Sequence, residues 1–408
     1  FLSPAWINLM EFSIHEAERQ GMGMDMNLGT GWPFGGPQIG PEHAASRLIL
    51  EEYSMEHGTS VPLSIVPDIP EDHLEGVILE SLMAYAETGE ILDLTDQVGE
   101  DGALNWDPEG GSWKLYAIFC GKTRQTVKRA APGGEGLTMN HFSTSALEVY
   151  LNRFEEAFQG KELVRSFFND SYEVYNASWT PGFLDAFKER RGYDLRFHLE
   201  AFTGQLDPEQ AARIKSDYRE TLAELLLDNF TSPWTEWSHK QGTLTRNQAH
   251  GSPGNLIDLY AAVDIPECEI FGHRTFQIPG MRVNTDDTRN VEPNPMMLKL
   301  ATSASHVCSK PLISNETFTW LGEHFKVALS QCKPEVEEAF LAGINHVFYH
   351  GTPYSPDEAS WPGWLFYASV HFGPTNSFWP HLRAMNGYIS RCQSVLQSGT
   401  SDNEVLVY

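Results

Sequence analysis

Cysteine is scarce and poorly spaced for bonding. The chain has five in 408 residues, an odd number with no C-x-x-C pair, so neither a disulfide framework nor a thiolate zinc site is signalled. Cys120, Cys268, Cys308, Cys332 and Cys392 read as core thiols. Basic residues are also few, 28 against 55 acidic ones, for a formal charge of -27. A surface of that sign repels phosphate backbones and anionic lipid heads, which argues against nucleic-acid and membrane-surface roles. Long apolar runs are missing too, and nothing approaches the ~20 residues that span a bilayer. The opening Phe1-Leu2-Ser3-Pro4 shows no charged stretch followed by an apolar one. No secretory leader is legible there, and the chain reads as a piece cut from a longer protein.

Aromatic residues, by contrast, are plentiful: 12% of the chain, with 11 tryptophans. Flat apolar rings with polar edges are what sugar C–H faces pack against, although a large core also takes them up. Ser3 as N-cap and Pro4 at the first helical position open a helix that Gly21 closes. A strand at 22–28 runs into Gly29-Thr30-Gly31-Trp32-Pro33-Phe34-Gly35-Gly36-Pro37. The glycines and prolines of this loop fix an irregular backbone that presents Trp32 and Phe34. Without G-x-G-x-x-G spacing or a following helix, the loop is not a nucleotide cradle.

From 44 to 126 the strand-like runs 47–53, 75–85 and 113–119 are separated by acidic, glycine-rich turns, which predicts a β-rich insertion. Alternation resumes with a strand at 137–141 and a helix opened by the capping box Ser145…Glu148. Strands at 163–170, 244–248, 262–266, 311–315 and 345–350 follow. Helices open at Thr180-Pro181, at Asp207-Pro208, and near Pro295, Pro334 and His381. Strands starting at 22, 137, 163, 244, 262, 311 and 345 number seven. The expectation is an α/β fold, a TIM-like (β/α)8 barrel over 1–43 and 127–400 whose first strand precedes Phe1. The β-rich insertion at 44–126 would follow the second strand, and 401–408 would begin a following domain or linker.

In such a barrel chemistry sits where strands end. The polar residues there are Asp25 and Asn27; Asn140 and His141; Asn169, Asp170 and Glu173; Gln248 and His250; Glu267 and Glu269; Asn315 and Glu316; and His350. Any one of them can simply cap a helix or satisfy a loop N–H. Gathered at one mouth they cost free energy that function must justify. Glu173 and Glu316 each close an apolar run, and two carboxylates facing one sugar ring are the minimum equipment for glycoside hydrolysis. His141, His250 and His350 do not favour a histidine-bound transition metal, because Met24-Asp25-Met26 lacks the early His-x-His. An oxygen-rich calcium site among Asp25, Asp170, Glu267 or Glu269 suits a hard cation better.

Four segments in order resemble glycoside hydrolase family 106, the α-L-rhamnosidases. They are the loop 29–37, Asp170-Ser171-Tyr172-Glu173-Val174, Thr245-Arg246-Asn247-Gln248-Ala249-His250-Gly251-Ser252-Pro253, and Ser314-Asn315-Glu316-Thr317-Phe318-Thr319-Trp320. The resemblance covers essentially the whole chain. It implies an inverting exo-hydrolase that removes terminal α-L-rhamnose from a plant or algal polysaccharide or a glycoside. It also implies calcium at the sugar site, a secreted or periplasmic location, and accessory β-domains outside this chain. By motif Glu173 would be the general acid, Glu316 the general base and Asp170 a supporting carboxylate. Asn27, Trp32, His141, Gln248, His250, Glu267, Glu269 and His350 would contact the sugar.

Tyr172, Tyr175 and Trp179 around Glu173 predict a carboxyl raised by desolvation. An inverting pair predicts carboxyls about 6.5–9.5 Å apart, against about 5–5.5 Å for a nucleophile. Two further readings share the fold. One is a glycosidase for another sugar. The other is a non-catalytic carbohydrate-binding barrel, which would keep Trp32, Trp179, Trp320 and Trp364 but need not keep both Glu173 and Glu316.

Overall fold

A computed structural model describes residues 1–56, 63–108, 110–272, 276–280, 294–320 and 325–402. The chain divides into two compact units: Phe1–Val164 with Glu173–Trp237, and Arg165–Tyr172 with Ser238–Tyr408. Of the segment 401–408, expected to start a further domain, residues 403–408 lie outside the described residues.

In the first unit α1 (Pro4–Arg19) begins where Ser3 accepts a hydrogen bond from the Trp6 N–H, with Pro4 in the first turn. Both expected start signals act. After β1 (Asp25–Asn27) and β2 (Gly35–Gly36) comes an antiparallel sheet of β3 (Ser46–Glu56), β4 (Ile78–Ala86), β5 (Ile91–Asp93) and β6 (Ser112–Lys122). Its order is β3-β6-β4-β5. Strand side chains alternate between faces, so Trp113, Leu115, Ala117 and Phe119 join Ile49, Leu82 and Ala84 in one core. Tyr116 turns the other way and meets the Tyr85 ring edge-on at 5.2 Å. The unit continues with β7 (Leu137–Thr138), α2 (Thr144–Phe158), α3 (Phe183–Arg191), α4 (Leu199–Thr203) and α5 (Pro208–Leu226). A π-helical turn then leads into α6 (Ser232–Lys240).

Three local expectations change here. The helix expected to open at Ser145 opens at Ser143, whose extended backbone lets its side chain accept the Ala146 N–H. At α3 the Thr180 carbonyl accepts the Phe183 N–H and closes a turn first. The helix therefore starts after Gly182, whose φ of 79° suits glycine. The segment 137–141, expected as a barrel strand, is instead the short β7, paired antiparallel with β2. That pairing is close: a Cβ on Gly35 would stand 2.4 Å from the Leu137 carbonyl oxygen.

The second unit is built on parallel strands β8 (Ser166–Asn169), β9 (Leu244–Gln248), β10 (Ile265–Phe271), β11 (Ser314–Thr319) and β12 (His346–Tyr349), neighbours in that order. Parallel neighbours require crossovers. Here α7 (Leu256–Ala261), α8 (Pro295–Val307) and α9 (Leu329–Ala342) lie between strands, and α10 (Trp379–Leu396) follows. Phe318, Trp320, Val336, Phe372, Leu382 and Met385 pack as one core. Pro334, expected near a helix start, lies inside α9. The lost N–H bond is offset by the apolar face of that helix in the core.

The fold is thus α/β with a parallel sheet and helices. The unit carries five parallel strands among its described residues, and the third strand of the expected eight is the antiparallel β7. Two strands also run past their expected ends, to Phe271 and Thr319. Glu267, Glu269 and Glu316 therefore lie within strands, because the apolar run stops before the ladder does.

Candidate active site

Strand register assembles a polar face in the second unit. Glu267 pairs with Gln248 on one side and Ser314 on the other, Glu269 with Glu316, and Glu316 with Phe348. Laterally paired residues of a parallel sheet share a face, so these side chains project together with Phe168 and Arg246. The Arg246 guanidinium lies 4.0 Å from the Phe168 ring centroid and 3.8 Å from that of Phe348. It is ion-paired with Glu267 at 2.5 Å. Glu267 also accepts from Ser314 at 2.6 Å and Gln248 at 3.0 Å. Burial pushes the Glu267 carboxyl upward, and Arg246 opposes that. With every near partner inside the sheet, Glu267 braces the face.

Glu316 is the centre of the network. It accepts from Gln248 at 2.7 Å and from Thr319 at 2.7 Å, and pairs with His350 at 3.0 Å. Burial by itself would raise its carboxyl. The His350, Thr319 and Gln248 contacts outweigh burial and hold it well below the ordinary range. His350 shows the converse: burial would lower it, and Glu316 raises it. Thr319 reaches back to Glu316 because the β10–β11 register slips between Glu269 and Phe271, while Phe318 takes a φ of 74°. A buried aromatic in that region is strained, and strain and bulges gather at functional sites.

Two groups flank Glu316. His250 contacts Glu269 at 2.8 Å, and that carboxylate raises the imidazole against the lowering effect of burial. The His250 loop is pinned, since its carbonyl accepts the Tyr172 N–H at 3.1 Å. A Cβ on Gly251 would sit 2.5 Å from the Tyr172 carbonyl oxygen. Asp170 accepts the Ser171 N–H at 2.8 Å. Burial, then the Glu316 charge, push its carboxyl up to about 8. Gln248 Oε1 and His250 Nδ1 are buried with no hydrogen-bond partner among the described residues. Orphaned buried polar atoms call for an explanation, and a ligand is one.

Glu173 belongs to the first unit and has a different setting. It accepts from Trp32 at 3.1 Å and Tyr175 at 2.5 Å, and it is ion-paired with Lys128. The Gln125 side chain donates to the Glu173 carbonyl at 2.6 Å and accepts the Tyr175 N–H at 2.7 Å, which fixes the backbone. A raised carboxyl was expected from its aromatic neighbours. Burial does act upward, but Lys128, Tyr175 and Trp32 outweigh it and the Glu173 carboxyl is lowered. A Cβ on Gly31 would approach the Lys128 carbonyl oxygen to 2.0 Å, so that glycine lets the Trp32 loop lie against Lys128.

Two more of the expected residues, Asn27 and His141, belong to the first unit. Asn27 donates to the Gly31 carbonyl at 3.3 Å, while its Oδ1 is buried with no partner among the described residues. His141 is buried against Phe34 and Phe230, its Nδ1 at 2.9 Å from the Met139 carbonyl, and burial lowers it to about 4. It is placed as a core histidine. Asn140 caps the local turn by accepting the Phe142 N–H. Of the loop rings read as presented, Phe34 is buried and Trp32 half-buried; of the other tryptophans that a carbohydrate-binding barrel would keep, Trp179 and Trp320 are buried and Trp364 is exposed. Sequence reasoning missed Arg246 and Thr319, though both stand inside recognised segments. It also missed Lys128, and it took Tyr175 as a desolvating neighbour of Glu173 rather than a hydrogen-bond donor to it. For Lys128 no sequence signal exists, since its role arises from the β-bridge with Trp32.

The donor chemistry of the second unit's face, carboxylates and amides, is right for calcium. Among the described residues no three His, Cys, Asp or Glu side chains are grouped so as to hold a metal. Glu267, Glu269 and Glu316 each have a protein partner already.

Among solved structures, the chain resembles a rhamnosidase from Novosphingobium sp. PP1Y, with a TM-score of 0.76 and 18% identity over 98% of this chain and 55% of that one. That likeness is one of fold. A Formosa agariphila protein named "Putative beta-glucuronidase" is 26% identical over 458 aligned residues, covering 100% of this chain and 37% of that protein. The chain therefore spans little more than half of the one and little more than a third of the other. No described helix is long and apolar enough to cross a membrane. Residues 71–408 match the alpha-L-rhamnosidase family, glycoside hydrolase family 106, and the chain belongs to it.

Proposed function

We propose that this chain carries the catalytic machinery of an inverting α-L-rhamnosidase, with Glu316 as general base and Glu173 as general acid. It would remove terminal α-L-rhamnose from a plant or algal polysaccharide or a glycoside. The observation that carries this reading is Glu316: a part-buried carboxylate kept ionised by His350, Thr319 and Gln248, beside unpartnered atoms of Gln248 and His250 that sugar hydroxyls can satisfy. A general base must be ionised before it acts. Glu316 takes a proton from a water whose oxygen bonds to the anomeric carbon. The acid gives a proton to the departing glycosidic oxygen, and the configuration inverts. The imidazoles and the guanidinium of this face are already paired with carboxylates, which favours an uncharged sugar such as rhamnose over a uronate.

Glu173 meets its acid role only once it gains a proton, and Lys128 opposes that. A leaving group that displaces Lys128 would let the carboxyl rise. Asp170 offers a second reading of the acid, favoured by one observation: burial and Glu316 push its carboxyl up to about 8 while Glu316 itself is depressed. Environments that drive two carboxyls apart mark acid and base. A hard cation stays within the proposal on electrostatic grounds, since it would relieve the repulsion among Asp170, Glu269 and Glu316. If it is needed, exhaustive chelation abolishes activity and added calcium restores it.

The test is release of rhamnose from 4-nitrophenyl α-L-rhamnoside, with the first-formed anomer read by NMR. β-Rhamnose supports inversion. α-Rhamnose as the first product, or release of glucuronic acid instead, overturns the mechanism or the substrate.

A further inference from the structure

The segment after His350 holds aromatic rings out to solvent. Tyr354 is 77% exposed, Trp361 75%, Trp364 59% and Tyr367 54%. Aromatic side chains dominate burial energetics, so four left bare within 14 residues require a reason. Looseness is not the reason, because the segment is tied down. Ser355 Oγ accepts the Trp364 N–H at 2.7 Å, Thr375 donates to the Pro362 carbonyl at 3.3 Å, and Thr352 donates to the Phe372 carbonyl at 2.8 Å. Trp361 stacks on Phe325 at 5.8 Å, which in turn contacts His371 at 5.0 Å. Trp364 meets Tyr354 edge-on at 6.3 Å. The shelf is also continuous with the site. The Phe366 ring lies 5.0 Å from His350, the partner of Glu316, and 5.0 Å from Tyr367.

We infer that this aromatic shelf binds the sugar units attached to the one that is cleaved, and that it selects uncharged pyranoses. The inference rests on the glycosidase reading above and adds to it a specificity surface. Charge supports the choice of occupant. Residues 334–382 contain no Lys or Arg, while Asp357 and Glu358 lie on the shelf segment itself, so a uronate would meet like charge and no cation from that segment. Neutral pyranose rings offer the C–H faces that exposed Trp and Tyr rings stack against, and their rims of hydroxyls stay in water.

Trp361→Ala and Trp364→Ala, singly and together, test this against two substrates: 4-nitrophenyl α-L-rhamnoside and a neutral oligosaccharide ending in α-rhamnose. The expected result is unchanged kcat/KM on the aryl rhamnoside. On the oligosaccharide, a loss of about 2- to 10-fold per ring should appear in KM. Equal losses on both substrates, or none on the oligosaccharide, overturn the shelf. Should the unaltered chain release no rhamnose from either, the enzymatic reading fails separately. The shelf is then judged by quenching of tryptophan fluorescence. A neutral oligosaccharide should quench more strongly than a uronate oligosaccharide of equal length, and the double variant should lose the effect. Equal quenching by the two, or quenching that survives the double substitution, overturns it. Matching thermal melts of the variants exclude misfolding as the cause.

Discussion

Glu173 and Glu316 reach the same electrostatic outcome, a lowered carboxyl, by opposite routes. Glu173 is half-buried and leans on Lys128, a flexible cation whose own side chain is 33% exposed. Glu316 is held by three partners, Gln248 and Thr319 on strands of one sheet and His350 just past the end of another, and its side chain is 15% exposed. An exposed ion pair contributes little and weakens with salt, whereas a buried network holds its geometry and charge through the reaction. The first arrangement can be remade by an arriving ligand. The second is preorganised, as a base that must be ready before the water moves should be.

The largest effect should come from the fixed partner. Glu316→Gln is expected to lower kcat by about 10²- to 10⁴-fold whatever the leaving group, since water activation is lost for every substrate. A loss confined to poor leaving groups would make Glu316 the acid and invert the comparison. Next is the brace. Arg246→Met leaves Glu267 buried and unpaired, and should cost about 3–5 kcal/mol in urea unfolding. An unchanged midpoint would show that the face is not held by that pair.

Glu173→Gln should lower activity by about 10²-fold or more on a disaccharide and far less on an activated aryl rhamnoside, which needs no proton to leave. If Asp170→Asn shows that leaving-group dependence and Glu173→Gln does not, the acid is Asp170. The smallest effect is on stability against pH. His350 is raised above 6.5, so its contribution is complete below that value and fades as pH rises through the folded one. Glu316 is lowered from 4.5, so its contribution is present above that value and fades as pH falls. The stability difference between wild type and His350→Gln should therefore be greatest between about pH 4.5 and 6.5 and shrink on the alkaline side. A difference that grows with pH would assign the pairing elsewhere.

Much of the second unit was legible because its signals are local. A β-branched or aromatic run followed by a polar residue marks a parallel strand and the side chains near its end, and Gln248, His250, Glu269, Glu316 and His350 do come together, though Glu269 and Glu316 stand inside their strands. What escaped notice was cross-strand. No spacing in the sequence announces that Arg246 lies between Phe168 and Phe348, or that Thr319 turns back on Glu316 through a bulge. The antiparallel pairing of Gly35 with Thr138 joins residues far apart in the chain, so the run at 137–141 looked like one more barrel strand. Lys128 was silent for the same reason. His141 also follows an apolar run, yet it is buried against Phe34 and Phe230, a setting that run does not announce.

One consequence of the second unit's polar face concerns heat rather than rate. Asp170, Glu267, Glu269 and Glu316 share their protons with His250 and His350, since each group's titration depends on its neighbours' charge. The face is in effect a small proton reservoir, and a sugar that displaces water from it will change how many protons it stores. Binding should then exchange protons with solution. Its calorimetric enthalpy will vary with the buffer's heat of ionisation, and the slope of that variation will count the protons moved.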